Sequence, residues 1–105
     1  DADNRFMPNC GKINMLYVPG GMGVRFEGCI YDGCEISPYY DSMIGKVIVY
    51  GKDRQEAINK MKCALGEIVV EGIKTNINFQ KRIMNNQKYL DGDFNTGFIR
   101  QEMNV

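Results

Sequence analysis

Apolar and polar residues alternate along the first half of the chain, whereas along the second the apolar ones return every three or four positions. The first ten residues are polar, include Pro8, and read as a loop or a severed connection. Lys12 to Val18 alternates and predicts a strand. Pro19-Gly-Gly-Met-Gly23 breaks it, since glycine adopts backbone angles that other residues avoid. Val24 to Tyr31 resumes as a strand. Asp32-Gly33 then predicts a two-residue hairpin turn returning through Glu35-Ile36, with Tyr31 opposite Cys34 and Cys29 opposite Ile36. Pro38 cannot donate to a ladder and marks a boundary or an edge. Ser42 to Tyr50 carries the strongest strand pattern, with Val47 and Val49 on one face and Lys46, Ile48 and Tyr50 on the other, and Gly51 stops it.

Beyond Gly51 the period is helical. Asp53-Arg54-Gln55-Glu56 has the form of a capping box, in which the first carboxylate accepts backbone N–H groups at a helix start. Ala57, Ile58, Met61, Leu65 and Ile68 form one apolar stripe, and Glu71-Gly72 supplies a stop. Thr75-Asn76 caps a second helix whose buried side is Phe79, Ile83 and Met84. Asp91-Gly92-Asp93 ends that region, and Phe94 to Ile99 is a short apolar segment of undefined type. Strands first and helices second, without an internal repeat, predict an α+β domain: an antiparallel sheet with two or three helices packed on it.

With 105 residues the chain makes one domain. Thirteen basic groups against thirteen acidic ones leave no net charge, with −2 in residues 1–50 and +2 in residues 51–105, and so no clustered positive field for nucleic acid. Runs such as Val47-Ile48-Val49-Tyr50 are far short of a membrane span. The absence of histidine excludes Cys–His and Ser–His nucleophile pairs and histidine-containing zinc sites within this chain. Cys10, Cys29, Cys34 and Cys63 include no Cys-x-x-Cys pair, and are expected to be free thiols, mostly packed as small hydrophobes, in a reducing, cytoplasmic compartment. The chain starts at Asp1 without an initiator Met or a leader pattern, and is expected to be a piece of a longer one.

Several segments invite a chemical reading. Pro19 to Gly23 lacks the pattern of a dinucleotide or phosphate loop, and Gly45-Lys46 is followed by Val47, so a tight strand connection is the reading. Its apolar Met22 beside Arg25 makes a candidate contact surface. Pro38-Tyr39-Tyr40-Asp41-Ser42 either lines a ligand pocket or forms an aromatic corner with Asp41 bonding locally in a turn; spacing alone favours the corner. Asp91 and Asp93 read as a turn, because a calcium loop needs further ligands and a closing Glu.

Taken together in order, Pro19-Gly-Gly-Met-Gly-Val-Arg-Phe-Glu27, Ser37-Pro-Tyr-Tyr-Asp-Ser-Met-Ile-Gly-Lys46 and Tyr50-Gly51 resemble the carboxy-terminal domain of biotin carboxylase. Arg54-x-x-Ala57-Ile58-x-x-Met61-x-x-Ala64-Leu65-x-Glu67, Gly72-Ile-Lys-Thr-Asn76 and Asn95-Thr-Gly-Phe-Ile99 continue the resemblance, which covers about Phe6 to Ile99. The form Tyr-Asp-Ser-Met-Ile-Gly-Lys is most similar to the subunit of bacterial acetyl-CoA carboxylase, and pyruvate and propionyl-CoA carboxylases carry related domains.

The resemblance implies the rudimentary single-hybrid-like form of the α+β class. It implies a parent ligase that uses ATP, Mg and bicarbonate to make carboxyphosphate and then carboxylates biotin on a carrier protein, for fatty acid biosynthesis. The expected partners are an upstream ATP-grasp domain, a second copy in a homodimer, and the biotin carboxyl carrier protein, with no nucleic acid and no membrane. The lid, the metal-binding carboxylates and the general base of that family are not among these motifs, and its catalytic Arg near biotin belongs just upstream of Asp1. The chain alone is therefore expected to be inactive. By resemblance, Met22 and Arg25 fall at the homodimer interface. Tyr40 and Asp41 fall on the biotin and bicarbonate side, which reverses the preference for a corner, and Thr96 and Gly97 fall beside the nucleotide.

Overall fold

A computed structural model of the chain describes residues 1–39 and 41–104. Among them are six short strands: β1 (Gly11–Lys12), β2 (Met15–Tyr17), β3 (Val24–Gly28), β4 (Glu35–Ile36), β5 (Gly45–Val49) and β6 (Val69–Glu71). Four α-helices accompany them: α1 (Arg54–Glu67), α2 (Ile77–Met84), α3 (Gln87–Leu90) and α4 (Phe98–Glu102). The strands pair antiparallel, as expected, but in three two-stranded ladders: β1 with β4, β2 with β6, and β3 with β5.

The segment read as one strand from Lys12 to Val18 changes partner halfway. Gly11 and Lys12 face Ile36 and Glu35, whereas Met15, Leu16 and Tyr17 face Glu71, Val70 and Val69. At the changeover the Ile13 N–H donates to the Cys34 carbonyl at 2.9 Å, and the Asn14 N–H donates to the Glu71 carbonyl at 2.7 Å. Ile13 is fully buried there. Gly72, at φ +107°, presses against this crossing, where a Cβ would run into the Lys12 carbonyl and lie 2.9 Å from the Asn14 nitrogen.

The turn at Asp32-Gly33 forms, closed by the Cys34 N–H donating to the Tyr31 carbonyl, but its flanks do not pair with each other. Its polar groups are taken by the neighbouring strand instead. The Gly33 N–H donates to the Ile13 carbonyl, and the Leu16 N–H donates to the Asp32 carboxylate at 2.5 Å. The strand predicted over Ser42–Tyr50 is Gly45–Val49, with the expected alternation: Val47 and Val49 inward, Lys46 and Ile48 outward.

Helix α1 forms the first half of the expected capping box, with the Asp53 carboxylate accepting from the Glu56 N–H at 2.8 Å, while the Glu56 carboxylate pairs with Lys60 at 3.3 Å. It ends at Glu67, earlier than the helical period suggested. The β-branched pair Val69-Val70 leaves the helix to become β6, because β2 offers it a ladder partner. Helix α2 buries Phe79, Ile83 and Met84, as its spacing indicated. At its start Thr75 Oγ1, rather than Asn76, accepts from the Ile77 N–H at 3.3 Å. The undefined Phe94–Ile99 segment leads into α4, whose Phe98 joins Leu65, Phe79, Ile83, Met84 and Met103 in the core. A Lys88–Glu102 ion pair of 3.0 Å ties α3 to α4, and the hydrogen bond and charge of Glu102 raise the Lys88 ammonium pKa above its usual value. All four cysteines are free thiols, yet only Cys34 is buried; Cys10, Cys29 and Cys63 face solvent. No helix among the described residues is long and apolar enough to cross a membrane.

Candidate functional site

Three parts of the surface carry the residues singled out from the sequence. The first is the exposed face of the β3–β5 ladder. Register places Arg25 opposite Ile48 and Glu27 opposite Lys46, and Arg25 pairs with Glu27 at 3.2 Å. The Gly20–Gly23 loop at the end of this ladder leaves the Met22 side chain 94% exposed, and Tyr50 beyond β5 is 78% exposed. This loop is held rather than loose. The Gly23 carbonyl accepts from the Tyr50 N–H at 2.8 Å, while Lys60 of α1 donates to the Tyr50 carbonyl at 2.9 Å and pairs with Glu56 at 3.3 Å. Gly23 stands at φ +76°, where a Cβ would lie 2.8 Å from the Tyr50 oxygen, so the closure needs glycine. An apolar tip next to an arginine-bearing sheet face is a surface suited to burial against another protein.

The second part is a cleft of about 590 Å³ between the inner face of the β3–β5 ladder, helices α1 and α2, and the amino-terminal segment. Phe26, Ile44, Met61 and Ile77 line it, and Ser42 and Met43 form part of its wall. Asp41 is exposed beside that wall. Its Oδ1 accepts from the Met43 N–H and the Ser42 hydroxyl, each at 3.4 Å, which is the local turn bonding that spacing alone favoured. Tyr39 is 91% exposed, and Tyr40 lies outside the described residues. The segment therefore presents its carboxylate and its aromatic outward, where a neighbouring domain or ligand can meet them.

The third part is a hollow of about 790 Å³ lined by Thr96, Gly97, Ile99 and Arg100 together with Ala2, Arg5 and Phe6. Arg5 and Arg100 escaped sequence reading because no spacing relates them. They line one hollow because the amino-terminal segment packs back on the core, with Ala2 against the cluster that holds Phe98 and Met103 and Phe6 edge-on against Phe79 at 4.9 Å. Two arginines and a threonine around one hollow suit an anionic ligand. Gly97 is half-buried, and a Cβ there would lie 3.1 Å from the Gln101 amide and 3.2 Å from the Asn95 carboxamide oxygen. Among the described residues no three His, Cys, Asp or Glu side chains gather as a metal site.

Residues 1–101 match the family described as the biotin carboxylase C-terminal domain. Biotin carboxylase 1 of Bacillus subtilis is 52% identical over 99 residues, spanning 94% of this chain and 22% of its own length. A pyruvate carboxylase subunit of Methanothermobacter thermautotrophicus is 52% identical over 94 residues, spanning 90% of this chain and 19% of its own. Among solved structures, the biotin carboxylase domain of Hydrogenobacter thermophilus 2-oxoglutarate carboxylase superposes with a TM-score of 0.94 at 38% identity, over 98% of this chain and 23% of that one. That structure is a dimer in complex with MgADP, ADP and bicarbonate. The chain thus spans about a fifth of the length of these relatives. With its antiparallel ladders, its helical core and its collinear motifs in place, this chain belongs to the biotin carboxylase C-terminal domain family.

Proposed function

We propose that this domain completes the active site and the dimer of an ATP-dependent biotin carboxylase, a cytoplasmic ligase that carboxylates carrier-bound biotin with bicarbonate for acetyl-CoA carboxylation. The match of residues 1–101 to the family, at 52% identity to a biotin carboxylase, carries the reading. Within it, Asp41 and Tyr40 line the biotin and bicarbonate side, Thr96 and Gly97 border the nucleotide, and Met22 and Arg25 meet a second copy. ATP supplies the phosphoryl activation of bicarbonate. The chain's own share is narrower: Arg5 and Arg100 offer positive charge beside Thr96 and Gly97, and the Asp41 turn shapes the acceptor side. In this reading magnesium is held by the ATP-grasp part together with the phosphates of the nucleotide. The equally similar pyruvate carboxylase relative supports a second reading, in which the final acceptor is pyruvate.

The test is biotin- and bicarbonate-dependent ADP release by the longer polypeptide carrying this domain, beside these 105 residues alone. Activity in the former and none in the latter is the expected result; a properly folded longer polypeptide without activity leaves only a non-catalytic dimerisation module. Asp41→Ala should slow carboxylation roughly tenfold or more without dissociating the dimer, as loss of a polar group at a site edge does. An unchanged rate removes Asp41 from the site.

A further inference from the structure

One contact between distant parts of the chain involves a residue outside all three of these surfaces. Arg54 is the first residue of α1, where a positive charge opposes the helix macrodipole and does nothing for its own helix. Its guanidinium instead reaches across to the end of α3. There Nη1 donates to the Leu90 carbonyl at 2.8 Å and Nη2 donates to the Tyr89 carbonyl. These are the last carbonyls of α3, at the negative end of its peptide dipoles; the Tyr89 carbonyl also accepts from the Gly92 N–H at 3.1 Å, so the guanidinium is its second donor. The same guanidinium lies 5.1 Å from the centre of the Tyr89 ring and 5.8 Å from that of Phe94. Those two rings are stacked on each other at 5.0 Å.

What this latch fixes is the segment that follows. Phe94 is one end of the turn Phe94-Asn95-Thr96-Gly97-Phe98, and Phe98 is the other, anchored in the core with its ring 6.1 Å from that of Phe94. Inside the turn, Asn95 Oδ1 accepts from the Gly97 N–H at 2.8 Å, and the Asn95 carbonyl accepts from the Phe98 N–H at 3.0 Å. The core holds one end and Arg54 holds the other, so the height of Thr96 and Gly97 over their hollow is set from α1. We infer that Arg54 is a positioning residue for the Asn95–Phe98 turn and, resting on the proposed reading of that turn as nucleotide-facing, for ATP affinity. Lysine cannot substitute, because an ammonium supplies one compact charge where two adjacent carbonyls and two ring faces require a planar fork.

The experiment uses the longer polypeptide carrying this domain, with the variants Arg54→Lys, Arg54→Met and Gly97→Val. Amide hydrogen exchange at Gly97 and Phe98 and the steady-state constants for ATP and for bicarbonate are measured together. Both Arg54 variants should speed exchange at these amides and raise KM for ATP by about tenfold each, the size of one lost charge-assisted pair. Bicarbonate KM and kcat should stay within about twofold, and Arg54→Lys should give no rescue. A general loss of fold would instead lower kcat in step with the folded fraction and leave both KM values alone. Unchanged exchange at Gly97 and Phe98 overturns the inference, as does an unchanged KM for ATP in the Arg54 variants when Gly97→Val raises it. If Gly97→Val itself leaves KM for ATP unaltered, the nucleotide reading of the turn falls, and the exchange result alone decides whether Arg54 holds it.

Discussion

Ile13 is fully buried at the point where one strand trades partners, and nothing about its immediate neighbours Lys12 and Asn14 marks it as a core residue. It becomes one because Cys34 on one side and Glu71 on the other bring distant backbone against it. Ile13→Ala should cost about 2–5 kcal/mol, the range for a buried aliphatic truncated in a site that cannot collapse, measured by denaturant unfolding. Residues whose role depends on local bonding were legible. Asp53 announced itself as a cap through Glu56 three positions on, and Phe79, Ile83 and Met84 through helical spacing. Residues whose role depends on a distant partner were not. Arg54 looked like part of a capping box, and only the fold shows its guanidinium on the carbonyls of Tyr89 and Leu90. Arg5 and Arg100, near opposite ends of the chain, share a hollow for the same reason.

Among the elements, the two longer helices and most strand segments could be found, while the short α3 and α4 and the pairing of the strands could not, and for the strands the physical reason is reach. A helix satisfies its backbone within four residues, so its start and its buried stripe are written locally. Asp53→Ala should therefore weaken α1 by about 1 kcal/mol, seen as a lower unfolding midpoint at unchanged denaturant dependence. A strand is completed only by its partner. The pattern Val24–Tyr31 then Glu35-Ile36 promised a hairpin, yet β3 closes with β5 and β4 with β1. Likewise β6 was hidden in the apparent tail of α1, since the short apolar run Ile68-Val69-Val70 suits either period. The candidate site inherits this division. The Met22 loop and the Asp41 turn could be placed from their glycines, proline and turn chemistry, whereas the hollow at Thr96 depended on the amino-terminal segment packing back on the core.

For the whole molecule, the outer face of the β3–β5 ladder is exposed among the described residues. Met22, Arg25, Ile48 and Tyr50 present apolar area with a positive charge on the side of the β3–β5 ladder opposite α1. Arg25→Glu should weaken self-association of the longer polypeptide by roughly tenfold or more, read by sedimentation across a concentration series, because a reversed charge in a self-complementary contact meets its own copy. An unaltered monomer–dimer equilibrium would assign that face to something other than a second copy. The partner exchange at Ile13 has a different consequence, one of timing. Met15 to Tyr17 precede their ladder partner Glu71 by the whole of β3, β5 and α1, so during synthesis this apolar strand leaves the ribosome long before it can be paired. Loop closure over such a separation makes its pairing a late event in folding, after α1 has formed. Until then its open edge is exposed to wrong partners, and is a segment that a chaperone would shield.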